Sequence, residues 1–304
     1  RLSPPGRGAE APDGRDDHRS AGFHVSPFPS GARPDLIGVL GAGRVGSALA
    51  GWLAEGGLPV HMADPAPCRR ARALATRGVP LHVGALPPWL SDAPLLVLAL
   101  PDQALQEAAG ALGMAGLRPG VIVLHCAGAL PADHLRATLP KSARLGAWHP
   151  VHPFSEAPPG SPRGVPVALD GDAAALAAGR ALCDALHMRP FTVAPEGRVL
   201  YHAALALASN GAVGLAASAL ALLRVAGLPH DEARRLVARL LRRTAANLAR
   251  RPPHRALTGP VQRGDDDTLA RHRAAVAARA PAELPLVEAV VARLKRLMAQ
   301  EGST

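Results

Sequence analysis

The sequence predicts an α/β protein in which a parallel β-sheet covered by helices is followed by an all-α C-terminal domain. From residue 36 to about residue 150, short apolar runs alternate with helical segments, which is typical of a parallel sheet with helices on both faces. After about residue 167, strand patterns give way to helical ones. Hydrophobic residues make up 48% of the 304 residues, which is enough for a substantial core.

Each element follows from its own pattern. The strands are apolar runs bounded by glycine, proline or polar residues, and we predict them at residues 36–40, 58–63, 79–83, 95–100, 121–125 and 144–148. The helices between them are predicted to end near residue 56 and to cover 68–76 and 103–112. The C-terminal helices are predicted at 172–186, 196–226, 231–250, 266–278 and 286–300, with one further short strand at 191–193.

Composition divides the chain into three parts. Residues 1–34 are rich in proline, glycine, arginine and aspartate and lack hydrophobic periodicity, which is typical of a disordered tail. Residues 35–166 are the predicted sheet domain, and residues 167–304 are the predicted helical domain.

The most informative segment is LIGVLGAGRVGSALA, which begins at Leu36 and combines an apolar strand, a G-x-G-x-x-G turn and an alanine-rich helix. The first glycine permits the tight turn, the second lets the backbone approach a pyrophosphate, and the third lets the helix pack closely on the strand. The positive end of the helix dipole then faces the phosphates. This order predicts a Rossmann-type dinucleotide-binding domain, with a glycine turn that binds no nucleotide as the alternative. The predicted phosphate-binding residues are Gly41, Gly43, Arg44, Val45 and Gly46.

A carboxylate follows the second predicted strand. Asp64 lies 21 residues after Gly43, close to the spacing of about 20 residues expected for a group that binds the adenosine ribose. A carboxylate at this position favours NAD because it repels a 2′-phosphate. Arg69 and Arg70 offset that repulsion and admit NADP. The sequence therefore leaves the cofactor open between NADP and NAD.

Two further segments end predicted strands on the side where ligands of parallel sheets bind. Leu100, Pro101 and Asp102 follow the fourth strand, where the chain must turn over the cofactor. A plain turn with Asp102 as a helix N-cap is the alternative. His125 ends the fifth strand near the expected nicotinamide end, and its alternative is a buried histidine satisfied by a backbone carbonyl.

Four side chains are candidates for substrate binding and catalysis. Imidazole titrates near neutral pH, so His202 or His149 is expected to supply or accept a proton. Asn210 and Arg263 are expected to orient the substrate. The alternatives are hydrogen bonding inside the helical domain for His202 and Asn210, and a loop ion pair of Arg263 with Asp265. The H-x-x-H spacing that begins at His149 is interrupted by prolines, so no metal is expected.

Charge and cysteine content limit the classes of partner and the cellular compartment that the sequence predicts. The formal net charge is +10, but the arginines are scattered along predicted helices without a basic, aromatic-containing stripe, so no nucleic acid is expected. The 3 cysteines are widely spaced and form no disulfide framework, which fits a reducing compartment. No secretory signal is evident. We therefore expect a cytoplasmic protein.

One segment has the length of a membrane span. Residues 203–223 carry no charge over 21 residues, which is long enough to cross a bilayer. A helix that is apolar all round is equally well the buried central helix of a large domain. Because the segment is rich in alanine and includes serine, asparagine and glycine, we expect burial and no membrane partner.

The motifs together resemble those of bacterial two-domain Rossmann-like proteins of uncharacterised function, which carry a C-terminal helical domain and are commonly assigned as NAD(P) oxidoreductases. The resemblance rests on residues 36–46, 100–102, 125–130, 146–154, 201–210 and 257–265. More distantly, the layout resembles pyrroline-5-carboxylate reductase, deazaflavin-dependent NADP reductase and the 6-phosphogluconate dehydrogenase group. These resemblances imply a helical domain that completes the substrate site and forms a homodimer.

Two residues depart from the relatives. Ala127 stands where the family commonly has serine, and Ala206 stands four residues before Asn210, where the β-hydroxyacid dehydrogenases have lysine. The lysine-dependent mechanism is therefore not carried over. The sequence predicts an NAD(P)-dependent oxidoreductase that transfers a hydride between its cofactor and a small substrate. A dinucleotide-binding sensor or scaffold without turnover is the alternative.

Overall fold

The computed structural model describes residues 34–84, 86–156 and 159–301. The predicted disordered tail lies outside the described residues, except for its last residue, Pro34. The chain divides into two compact units between Glu196 and Gly197, and each unit is described by itself below.

The first unit is built on one eight-stranded sheet with the strand order β3-β2-β1-β4-β5-β6-β7-β8. Strands β1 to β6 pair in parallel, β7 runs antiparallel to β6, and β8 is parallel to β7. The prediction of a mostly parallel sheet is confirmed. The strands are β1 (Ile37–Leu40), β2 (Val60–Ala63), β3 (Leu81–His82), β4 (Leu95–Leu98), β5 (Ile122–His125), β6 (Arg144–Pro150), β7 (Pro166–Gly171) and β8 (Arg189–Thr192).

Helices cover both faces of this sheet: α1 (Arg44–Glu55), α2 (Arg69–Ala75), α3 (Leu105–Met114) and α4 (Ala173–Ala185). Side chains alternate between the two faces along each strand. In β4, Val97 joins the core cluster that contains Leu49 of α1 and Leu182 of α4, whereas Leu98 joins the cluster that contains Leu112 of α3. Because β4 is apolar on both faces, it is buried completely, as expected of a central parallel strand.

The boundary of the first unit corrects the sequence-based division at residues 166 and 167. Strands β7 and β8 extend the sheet, and helix α4 packs on it. Residues 166–192 are therefore not part of an all-helical domain. Strand β7 was not predicted, because Pro166 at its start and Asp170-Gly171 at its end are typical turn residues. The compact unit continues to Glu196.

The second unit is helical. Its helices are α5 (Arg198–Val225), α6 (His230–Leu248), α7 (Pro253–Ala256), α8 (Pro260–Arg263), α9 (Asp266–Arg279) and α10 (Leu284–Glu301). Helix α5 corresponds to the long predicted helix and packs against α6.

The expected burial of residues 203–223 is not found in the single chain. Within the described residues, one helix, Pro195–Val225, is long and apolar enough to cross a membrane, and none of its most apolar window is buried. Only Arg198, at the start of α5, is buried. A helix that is apolar all round is normally buried, so a binding partner for α5 is considered under the proposed function.

A charged network joins the segment after β5 to the end of β7. Arg136 Nη2 donates to Asp172 Oδ1 at 2.7 Å and to Asp133 Oδ1 at 3.0 Å, and the amide of Leu145 donates to Asp172 Oδ2 at 2.8 Å. Burial acts to raise the pKa of Asp172, but the bonds from Arg136 and Leu145 outweigh it and lower the pKa below its ordinary value. The ionised carboxylate is therefore the form that stabilises the fold.

We expect Asp172→Ala to lower the free energy of unfolding by about 2 kcal/mol at pH 7, because two charge-assisted hydrogen bonds are lost. Asp172 contributes this stability above the unfolded-state pKa of about 4, and the contribution disappears as the pH falls through the lower folded-state pKa. The difference from the parent protein should therefore shrink at pH 3. Urea unfolding at both pH values measures it. Asp133→Ala is the control, since that side chain is 76% exposed; an equal loss there would contradict the assignment.

Candidate dinucleotide site

The turn between β1 and α1 has the geometry that its three glycines predict. Gly41 adopts φ +89°, and a Cβ there would lie 2.6 Å from the carbonyl oxygen of Ala99. A Cβ on Gly46 would overlap the carbonyl oxygen of Gly41, so this glycine lets α1 pack on the strand. A Cβ on Gly43 would meet no described heavy atom within 4 Å. The backbone of Gly43 is thus open to a ligand.

The start of α1 presents backbone amides beside this opening. Gly43 is the N-cap, and no side chain of the described residues caps the helix. The first hydrogen bond of α1 runs from the amide of Ser47 to the carbonyl of Gly43 at 3.0 Å, so the amides of Arg44, Val45 and Gly46 have no acceptor within the helix. This arrangement suits an anion.

Asp64 braces the glycine turn from the end of β2. Its Oδ2 accepts from the amide of Ala42 at 2.6 Å, and its Oδ1 accepts from the amide of Ala66 at 2.7 Å. The carboxylate therefore fixes the turn while its side chain stays half-exposed. The structure adds this bracing role to the predicted ribose contact.

An apolar cavity of about 270 Å³ lies beside Asp64. It is lined by residues from the ends of β1 and β2, the segment after β3 and helix α3, including Asp64, Leu86, Leu100, Ala104 and Ala108. Leu86 is 41% exposed. A flat apolar ring fits a cavity of this lining.

A second cavity, of about 660 Å³, is called the arginine cavity here because Arg44, Arg69 and Arg70 line it, together with Cys68, Ala73 and Glu156. Three cations and one carboxylate leave a positive surface beside the glycine turn. Such a surface attracts phosphate. The predicted contact residue Arg69 is exposed in this cavity.

Cys68 also borders the glycine turn. Its Sγ lies 3.4 Å from the hydroxyl of Ser47 and 3.5 Å from the carbonyl of Gly43. Burial acts to raise the pKa of the Cys68 thiol, but hydrogen bonds from Ser47 and from the backbone of Ala71 and Arg70 outweigh it and lower the pKa. This thiol was not predicted as a site residue, because a lone cysteine carries no spacing signal.

The segments after β4 and β5 differ in their exposure and in their contacts. Leu100 lines the apolar cavity, whereas Pro101 and Asp102 are exposed. Pro101 is the N-cap of the short 3-10 turn that Asp102 begins, so the alternative role of Asp102 as N-cap is wrong. His125 is buried, and its Nε2 lies 3.1 Å from the carbonyl oxygen of Pro131, which matches the alternative of a buried histidine satisfied by a backbone carbonyl.

His149 lies in β6, one residue before the strand ends, and is half-buried. The second histidine of the H-x-x-H spacing, His152, packs instead on Trp52 and Phe154, with ring centroids 5.6 Å and 5.1 Å away. Within the described residues, no group of three or more histidine, cysteine or acidic side chains is arranged to hold a metal ion.

The remaining candidates lie in the second unit. His202 and Asn210 are exposed on α5, and Arg263 pairs with Asp265 at 3.9 Å, which is the alternative stated for it. Burial raises the pKa of Tyr201 to about 12, against the opposing effect of the Arg198 charge. Tyr201 is therefore a neutral hydroxyl at physiological pH.

The fold and the site define the class: this is a Rossmann-like α/β domain followed by a helix-rich C-terminal domain. The family model of the Rossmann-like domain matches residues 30–150. The model of a domain of unknown function, DUF2520, matches residues 165–296. The two models match consecutive parts of the chain. The DUF2520 match begins close to the predicted boundary, so it includes β7, α4 and β8.

Solved structures share this fold. A provisionally assigned NADP oxidoreductase from Bacteroides fragilis is 24% identical with a TM-score of 0.71, covering 87% of this chain and 98% of that one. Protein TM1727 from Thermotoga maritima is 22% identical with a TM-score of 0.67, covering 87% and 99%. Pyrroline carboxylate reductase from Plasmodium falciparum, solved with NADP bound, is 10% identical with a TM-score of 0.58, covering 88% and 100%. A search of the curated proteins found no match.

Proposed function

We propose that this protein binds a nicotinamide dinucleotide, NADP or NAD, and transfers a hydride between it and a small substrate. The observation that carries the proposal is the turn between β1 and α1, where Gly43 leaves its backbone open beside the amides that begin α1. Two proteins of the same fold support it: the Bacteroides protein is described as an NADP oxidoreductase, and the Plasmodium reductase was solved with NADP bound. Bound at this site, the nicotinamide supplies the hydride chemistry.

Each part of the site has a separate task. The amides that begin α1 bind the pyrophosphate, and the apolar cavity around Leu100 takes the adenine. Asp64 holds the turn in shape and keeps lone pairs for the ribose hydroxyls, because each of its oxygens accepts one backbone hydrogen bond and has capacity for another.

Proton transfer and substrate binding are the roles of polar residues outside the glycine turn. His202 or His149 supplies or accepts the proton, since imidazole is the side chain that enzymes most often use for proton transfer. Asn210 orients the substrate, and Arg263 binds an anionic group on it by exchanging its long ion pair with Asp265 for a closer one. The substrate class is a carbonyl or imine compound, which accepts the hydride that NADPH or NADH gives up on oxidation.

Binding and turnover test this proposal separately. A fluorescence titration with NADPH and NADH is expected to show binding, and cofactor oxidation is expected with one class among keto acids, imines and aldehydes. His202→Ala or Asn210→Ala should lower turnover by about 100-fold with binding retained. His272→Ala and Asn247→Ala, which change exposed residues of the same types, should leave turnover unchanged. Unchanged turnover in His202→Ala and Asn210→Ala would contradict the catalytic roles proposed for these two residues.

A dinucleotide sensor or scaffold without turnover remains the second candidate. Its support is that no lysine lies four residues before Asn210, where the resembling β-hydroxyacid dehydrogenases have one. Dinucleotide binding without oxidation of either cofactor, across the whole substrate panel, would favour it. Absence of binding would contradict both candidates.

We further propose that a second copy of the chain covers α5. Nine large apolar side chains are exposed on α5 and α6: Val199, Leu200, Leu207, Val213, Leu215, Leu236, Leu240, Leu241 and Leu248. This number of exposed large apolar side chains favours an interface, and α5, at 28 residues, is about 42 Å long. Two-fold pairing lets the same surface of each copy cover the other.

We expect a mass of twice 31.2 kDa in light scattering, and a monomer for Leu207→Glu, because Leu207 is 76% exposed on α5 and a charge is costly in an apolar interface. Met114→Glu is the matched control: Met114 is 91% exposed on α3 and should remain dimeric. Partition of the parent protein into a detergent phase would contradict the dimer and favour a membrane.

A further inference from the structure

Most of the chain's net charge lies in one segment of the helical unit. Residues 233–264 contain 9 arginines and no lysine, aspartate or glutamate. The segment therefore supplies +9 of the formal net charge of +10, and the rest of the chain supplies +1. It comprises α6 without its first three residues, α7, α8 and the connections between them. Such a concentration of one charge sign favours an anionic partner.

Four of these arginines share one face of α6, within an arc of about 100° at 3.6 residues per turn. We call them the basic face: Arg235, Arg239, Arg242 and Arg243. All four are exposed. Among the residues that the structure describes, no carboxylate pairs with any of them, whereas the neighbouring Arg234 pairs with Asp231 at 3.7 Å. The charge of the basic face is therefore available to a partner.

The basic face lies opposite the apolar side of α6. The buried residues of this helix are Ala233 and Val237, and the centre of the basic face lies roughly 150° from them around the helix axis. The exposed Leu240, Leu241 and Leu248 lie on the same side as the buried pair, and they belong to the surface that a second copy covers in the proposed dimer. The basic face is therefore accessible whether or not the leucines are covered.

The chemistry of the segment favours anionic phospholipids over nucleic acid. Residues 233–264 contain no phenylalanine, tyrosine or tryptophan, and proteins that bind single-stranded nucleic acid stack the bases on such side chains. A basic cluster on an amphipathic helix is typical of proteins that bind anionic headgroups. A helix that lies on a bilayer places several cations against many phosphates at once. Arg250 and Arg251, both exposed after the end of α6, add to this charge.

We propose that the basic face of α6 binds the anionic headgroups of a phospholipid bilayer, so that the protein associates reversibly with a membrane surface. This surface is separate from residues 203–223, for which no membrane partner is expected. Because the apolar side of α6 lies opposite, the helix does not enter the bilayer core. The attraction is electrostatic and is screened by salt. It does not depend on the proposed dinucleotide site.

Flotation of the full-length protein with lipid vesicles tests the proposal. The anionic vesicles are phosphatidylcholine with about one third phosphatidylglycerol, and pure phosphatidylcholine vesicles are the neutral comparison. We expect binding to the anionic vesicles to be at least about tenfold tighter than to the neutral ones, and to weaken at least about tenfold between about 0.05 M and about 0.5 M NaCl. Equal binding to both vesicles, binding that persists at high salt, or no binding overturns the proposal.

Arg239→Gln combined with Arg242→Gln should weaken binding to the anionic vesicles by at least about tenfold, since each arginine near such a surface contributes roughly fivefold. Arg293→Gln combined with Arg296→Gln is the matched control, because it removes the same charge from exposed positions on α10; it should bind as the parent does. Circular dichroism and light scattering should match the parent for both variants. Equal weakening in both variants would mean that net charge, and not the basic face, drives binding.

A DNA duplex of random sequence separates the two kinds of polyanion. At equal phosphate concentration, we expect the duplex to bind more weakly than the anionic vesicles. Tighter binding of the duplex would identify nucleic acid as the partner of α6 and overturn the lipid assignment.

Discussion

Gly46→Ala is expected to lower the free energy of unfolding by roughly 2–4 kcal/mol and to weaken NADPH binding by at least about tenfold. The added methyl would overlap the carbonyl oxygen of Gly41, and a backbone atom cannot rotate away as a side chain does. Helix α1 must therefore move off the strand. Alanine favours a helix over glycine by about 1 kcal/mol, which is too little to offset the overlap. Urea unfolding and NADPH titration measure the two effects.

Gly43→Ala is the matched control, since it makes the same chemical change three residues earlier. Its methyl would meet no described heavy atom within 4 Å, so stability should change by no more than about 1 kcal/mol. NADPH binding should still weaken by at least about tenfold, because the methyl occupies the opening through which the pyrophosphate approaches. A Gly43→Ala protein that binds NADPH as tightly as the parent would place the dinucleotide elsewhere.

Trp148→Ala is expected to cost about 3–5 kcal/mol of unfolding free energy. Trp148 lies in β6, is 1% exposed, and donates from Nε1 to the carbonyl of Gly179 in α4 at 3.1 Å. Its removal leaves a large cavity between the sheet and α4. Because residues beyond the predicted boundary at 166 surround this ring, the result also tests whether α4 belongs to the sheet unit.

Trp148→Phe separates the two contributions of this side chain. It keeps most of the ring volume and removes the N–H donor, so a loss of about 1–2 kcal/mol is expected. Equal losses in both variants would mean that the hydrogen bond, and not the volume, stabilises the packing of α4. Unfolding in urea followed by near-ultraviolet circular dichroism compares them.

Most of the first five strands and their helices could be predicted, because each is encoded within about a dozen consecutive residues. The run from Leu36 to Ala50 carries its own strand pattern, turn and helix. Strand β7 could not be predicted in this way. It runs antiparallel to β6, and its pairing of His149 with Ala168 depends on a partner across an intervening loop.

In the candidate site too, the features set by consecutive residues could be predicted, and those set by distant contacts could not. The sequence by itself determined the backbone geometry of the turn at Gly41, Gly43 and Gly46, because absence of a side chain acts on the immediate backbone. Only the tertiary structure decided that Asp64 braces the turn and that Arg70 reaches the carbonyls of Ser155 and Glu156, 85 and 86 residues away along the chain. It also showed that α5 is exposed in one copy. Contacts over such separations are set by packing of the whole fold, and no local pattern records them.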